Sequence, residues 1–150
     1  MRHRVVKKTL NRDKDHRKAL TMNLITQIIE EGKINTTLAK AKYIKPKVER
    51  VITKGIKANK TGDKISKFNI VKNIRKEIRS ESAIRKLVDE VAPKFLERKG
   101  GYTRIIKTGN RDGDNAQTAR IELVSNIEET KEKLKRKVSK KENKDENKTE

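Results

Sequence analysis

Lys33–Ala58 reads KINTTLAKAKYIKPKVERVITKGIKA, and its apolar rhythm changes once, near Thr37. Ile34 stands between polar residues and the β-branched Thr36 and Thr37 follow, which predicts a short strand over Lys33–Thr36. From Leu38 the apolar positions become Ala41, Ile44, Val48, Val51, Ile52 and Gly55, the three-and-four spacing of one helix face running to about Ala58. Either threonine can cap that helix. Pro46 removes one internal hydrogen bond, so a kink or a break is expected there.

Upstream, Asp13 or Asp15 can open a helix with the stripe Leu20, Leu24, Ile25 and Ile28, closed by Gly32. Downstream, Asp63 opens a third helix carrying Ile65, Phe68, Val71, Ile74 and Ile78. Ser80 or Ser82 opens a fourth with Ile84, Leu87, Val88 and Val91, ended at or near Pro93. Gly100 and Gly101 form a joint before a strand over Tyr102–Lys107. The loop Thr108–Asn115 then leads to Thr118–Val124, where Ala119, Ile121 and Leu123 alternate with Arg120 and Glu122. The two strands should form an antiparallel hairpin with a long tip. Four helices and three short strands give an α+β fold, a two-layer domain of helices packed on one face of a small three-stranded sheet.

The domain is expected over residues 1–125, with 1–12 as an extended basic arm and 126–150 as a charged, disordered tail. Among its 150 residues the chain has 41 Lys and Arg against 21 Asp and Glu, a formal charge of +20. The tail holds nine Lys and Arg against seven Asp and Glu, so nearly all the excess lies in the domain and its arm. Such a surface repels itself and is best matched by a polyanion, because cations that neutralise phosphates release bound counterions. The four aromatics, Tyr43, Phe68, Phe95 and Tyr102, are too few for a stacking platform on a sheet, so stacking is not expected to be the main grip.

The candidate phosphate contacts fall in three groups. The arm supplies Arg2, His3, Arg4, Lys7, Lys8 and Arg12, with His16 and Arg17 beyond it. Along the second helix Lys40, Lys47, Arg50, Lys54 and Lys57 fall on one flank at about 100° per residue, opposed locally only by Glu49, with Lys42 nearby. The hairpin presents Arg104, Lys107 and Arg111.

Catalysis finds little support. There is no cysteine, and His3, Asp13, Asp15 and His16 lack a tight metal spacing. Asp112 and Asp114 around Gly113 lack the ligand order of a calcium loop. No phosphate-cradling glycine motif or nucleophilic triad is present. No metal, cofactor or small-molecule substrate is expected, and no membrane partner, since no apolar run approaches the roughly 20 residues of a span. A DNA-compacting protein and a small RNA-processing enzyme are the rival readings, one without a recognition helix and the other without a nucleophile or metal set.

Several motifs in order resemble a known family. MRHR at Met1–Arg4, LNR at Leu10–Arg12, HRKAL at His16–Leu20 and TTLAKAK at Thr36–Lys42 are followed by AP at Ala92–Pro93, GGYTRI at Gly100–Ile105, GNRDGDNA at Gly109–Ala116 and IELV at Ile121–Val124. Together they resemble bacterial large-subunit ribosomal protein seventeen. The resemblance implies a non-catalytic, cytoplasmic constituent of the large subunit that binds its rRNA, lies near the peptide exit side, contacts neighbouring large-subunit proteins and holds its arm among RNA helices. The tail after Val124 is a departure, since many relatives have it only in shorter form.

Overall fold

The computed structural model describes residues 9–124; the expected arm residues 1–8 and the tail from 125 onward lie outside the described residues. Helix α1 spans Lys14–Glu31, β1 Lys33–Thr37, α2 Leu38–Lys60, α3 Lys64–Arg75, α4 Glu81–Lys86, β2 Thr103–Asn110 and β3 Gln117–Leu123. The expected boundaries recur where a local cap sets them. Asp13 accepts from the His16 backbone N–H, Asp63 from Ile65 and Ser66, and Ser80 from Ala83. Gly32 stops α1 in the left-handed region at φ 75°, its N–H returning to the Ile28 carbonyl.

The sheet is antiparallel with the order β1-β3-β2, so the last strand lies in the middle. Ile121 is registered between Ile34 and Ile105, and Ala119, Ile121 and Leu123 turn their side chains into the core. Polar partners occupy the other face, where Arg120 Nε donates to Asn35 Oδ1 at 3.0 Å. Thr108 is an extra residue in β2, and Gly109 at φ 110° absorbs the resulting bulge.

Helix α2 is the central layer. Ala41, Ile44, Val48, Val51 and Ile52 are fully buried, as the stripe predicts. The helix runs unbroken through Pro46, correcting the expected break: Pro46 is exposed, so the hydrogen bond it cannot make falls on the solvent side. Gly55 lets the next layer approach closely, since a Cβ there would stand 3.2 Å from Leu87 Cγ and 3.3 Å from Ala92 Cβ.

Two expected helices differ in extent. After Lys86 the fourth helix widens into a π turn over Leu87–Val91, followed by a tight turn over Pro93–Phe95. Proline would clash with a regular helix behind it, and the wider turn relieves that clash. The Ala92 N–H reaches Leu87 O at 2.8 Å, which leaves Val88 O to accept from Asn59 Nδ2 at 2.6 Å. In the third helix the stripe is apolar over more residues than the core covers. Ile74 is buried, and Ile78, beyond the helix end, is buried too, but Ile65 and Phe68 are 72% and 62% exposed. Periodicity marks a helix face without marking how far its neighbours extend.

Candidate nucleic-acid interface

The N-terminal half of α1 and the middle of α2 lie side by side, and the segment after α3 closes one end of the space between them. The result is a cleft of about 390 Å³ into which Lys14, Arg17, Lys18, Lys47, Arg50 and Lys76 project, with Glu77 as the one carboxylate among its lining residues. That carboxylate is engaged: Lys54 Nζ lies 2.5 Å from Glu77 Oε1, and both side chains are about 30% exposed. The cleft therefore keeps its positive charge, with Lys54 committed to Glu77. Lys18, Met22 and Lys76 also border a neighbouring hollow with Arg75 and Arg79, where Asp15 is the one acid among the lining residues. Arg75 is paired there with Glu81 at 2.9 Å.

The cleft floor is fixed in place. Lys47 Nζ lies 4.0 Å above the centre of the Tyr43 ring, donates to the Tyr43 hydroxyl at 2.6 Å and reaches Thr21 Oγ1 at 3.3 Å. A cation over an aromatic face is worth about 0.5–1 kcal/mol at a site open to water. Burial raises the Tyr43 phenol, but the hydrogen bonds of Lys47 and Thr21 and the charges of Lys47 and Arg17 outweigh it and hold the pKa below its ordinary value. Arg17 also ties the chain entering α1, donating through Nη1 to the carbonyls of Arg12 at 2.9 Å and Thr9 at 3.3 Å. Of the expected extended arm, the described part, Thr9–Arg12, makes a turn with Leu10 and Asn11 in the left-handed region. The Arg12 guanidinium rests against the His16 ring, and His16 Nδ1 is 3.9 Å from Asp13.

The structure sorts the remaining candidates unevenly. Arg2, His3, Arg4, Lys7 and Lys8 lie outside the described residues. Lys40 and Lys42 stand on α2 away from the cleft lining, Lys40 half-buried and Lys42 exposed. Glu49, expected to oppose the basic flank, instead accepts from the buried Thr103 hydroxyl at 3.0 Å. The hairpin cations are largely spoken for. Arg104 pairs with Glu122 across the strands, and Arg111 grips Asp114 with two nitrogens, Nε at 3.0 Å and Nη2 at 2.5 Å. Hydrogen bonds from Arg111 and the Ala116 N–H hold Asp114 at a pKa of about 2, and the same pair raises Arg111. Lys107 remains exposed, with no partner among the described residues. Lys14, Lys18, Lys76 and Tyr43 are cleft residues that sequence reasoning missed. The spacing Lys14, Arg17, Lys18, Thr21 marks one face of α1 and carries the signal for two of them.

No group of three or more His, Cys, Asp or Glu residues suited to a metal occurs among the described residues. No helix among them is long and apolar enough to cross a membrane.

Comparison with known proteins gives the family. The family model described as ribosomal protein L17 matches residues 20–124. A large ribosomal subunit protein bL17 of Fervidobacterium nodosum is 44% identical over 126 residues, 83% of this chain and 99% of that relative. The bL17 proteins of Petrotoga mobilis and Campylobacter lari are 43% and 48% identical, over 85% and 83% of this chain and the full length of each relative. A family match over residues 20–124, from within α1 to the end of the sheet, together with relatives covered nearly end to end, settles the lineage: this chain belongs to the ribosomal protein L17 family.

Proposed function

We propose that the chain is a structural, non-catalytic constituent of the large ribosomal subunit in the cytoplasm, and that it binds folded large-subunit (23S) rRNA through phosphate contacts. One observation carries the phosphate reading: six cationic side chains face one cleft whose only lining carboxylate is neutralised by a seventh cation. Fixed cations of one sign focus the field of a concave surface and attract a polyanion. Arg2, His3, Arg4, Lys7 and Lys8 precede α1, whose N-terminal half forms one wall of the cleft, and would continue the grip between RNA elements. Lys40, Lys42 and Lys107 add secondary contacts. Neighbouring large-subunit proteins near the peptide exit side complete the set of partners.

Lysine and arginine contacts to phosphate read little sequence, and the A-form major groove is too narrow for side chains, so the shape of the RNA carries the specificity. With ~6–10 phosphates engaged, affinity falls by about 10³–10⁵ between low and moderate salt, on the scale known for duplex DNA. The test is gradient sedimentation of the tagged chain from growing cells. It should travel with large subunits and be released by RNase but not by DNase. Sedimentation free of large subunits would refute the proposal.

A further inference from the structure

Helix α3 carries an aromatic side chain that the core does not use. Phe68 is 62% exposed and Ile65, one turn earlier on the same face, is 72% exposed. Lys64, Phe68 and Lys72 follow at four-residue spacing, so the three side chains share one ridge of the helix with a lysine on either side of the ring, neighbouring Cβ atoms being roughly 5–6 Å apart. Lys67 and Lys60 stand beside them, and none of these four lysines has an ion-pair partner among the described residues. The nearest carboxylate along the chain, Asp63, is occupied as the cap, accepting from Ser66 N at 3.0 Å, Ser66 Oγ at 2.7 Å and Ile65 N at 3.2 Å.

We infer that the Ile65–Phe68 face of α3 receives an unpaired RNA base, which stacks on the Phe68 ring while Lys64 and Lys72 hold the phosphates on either side of it. A splayed nucleotide presents that alternation, one apolar face flanked by two anions, and single-stranded loops and bulges are the parts of RNA that can offer it. An apolar protein surface would match Ile65 and Phe68 but would leave the lysines without anions. The inference rests on the rRNA-binding reading above and adds to it a contact that is not electrostatic.

The experiment uses the full chain and a protein-free transcript of a bacterial large-subunit rRNA, with no other protein present. Phe68→Ala should weaken binding roughly 5- to 150-fold, the range that losing one stacked base commands, with the salt dependence unchanged because no charge is removed. Phe68→Leu, apolar but without a ring, should stay weakened, and Phe68→Tyr should bind within about twofold of the parent. Thermal unfolding should be the same for all three, since the side chain lies outside the core. Ultraviolet cross-linking of the parent complex should join the α3 peptide to a nucleotide. If the parent binds while Phe68→Ala or Phe68→Leu binds equally well, the inference is overturned and the face belongs to a protein neighbour or to solvent. If the parent itself does not bind, the rRNA reading fails instead.

Discussion

The α1–α2 cleft and the β2–β3 hairpin are built from the same basic side chains and differ in what stands beside them. In the cleft, Lys14 and Lys18 of α1, Arg50 of α2 and Lys76 at the end of α3 line one space, and the one carboxylate among the lining residues is held by Lys54. In the hairpin, Arg104 and Arg111 each lie against an acid of the same hairpin, Glu122 and Asp114. Cations that outnumber the acids beside them gain most from an outside anion, whereas paired cations must first give up a partner. The first arrangement suits binding. The second holds the hairpin's own shape.

The largest effect should follow from removing cleft charge. The triple variant Lys18→Ala, Arg50→Ala, Lys76→Ala should bind large-subunit rRNA roughly 10²-fold more weakly and lower the logarithmic salt slope by about 2 to 3, with thermal unfolding little changed because all three side chains are exposed. Equal binding by parent and triple variant would show that the cleft is not the RNA-binding face. Freeing a cation should act in the opposite direction. Glu77→Gln releases Lys54 into the cleft, so rRNA binding should tighten a few-fold and the slope should steepen by about 1, at a stability cost within about 1 kcal/mol. Filter binding across a salt series reads both variants.

Smaller still is the change expected in the hairpin. Arg104→Ala with Arg111→Ala should leave rRNA affinity within about threefold of the parent in the same assay, because both guanidinium groups are already satisfied. The least effect on binding should come from pH. The Asp114 pKa lies at about 2, below the ordinary 3.8, so the Arg111 contact supports the tip fully above pH 3.8 and is lost as pH falls through about 2. Carboxyl chemical shifts followed by NMR from pH 5 to pH 2 should show that midpoint. A midpoint near 3.8 would show that the tip pair does not form in solution.

These contrasts explain which features the sequence discloses. Asp13, Gly32, Asp63 and Ser80 act on backbone groups within a few residues, so caps and helix boundaries can be read directly. The α2 stripe is legible because its buried residues fall on one broad helix face, which the sheet and the other helices cover. What distant chain segments decide is harder to read. Glu77 reaches Lys54 across 23 positions, and no local pattern separates that lysine from Arg50. Phe68 fits the apolar period of α3, yet its exposure depends on how far the packing neighbours extend. The widening at Leu87–Val91 needs both Pro93 and the distant Asn59 side chain that satisfies the Val88 carbonyl. The Arg104–Glu122 pair lies between these extremes, because antiparallel pairing of the two expected strands places those residues opposite each other.

Lysine footprinting on intact large subunits shows whether the cleft is covered by RNA. Brief acetylation of the chain, free and assembled, followed by mass spectrometry, reports the access of each amine. Lys14, Lys18 and Lys76 should be strongly protected on assembly. Equal modification of these three lysines in the free and assembled states would contradict a cleft covered by RNA.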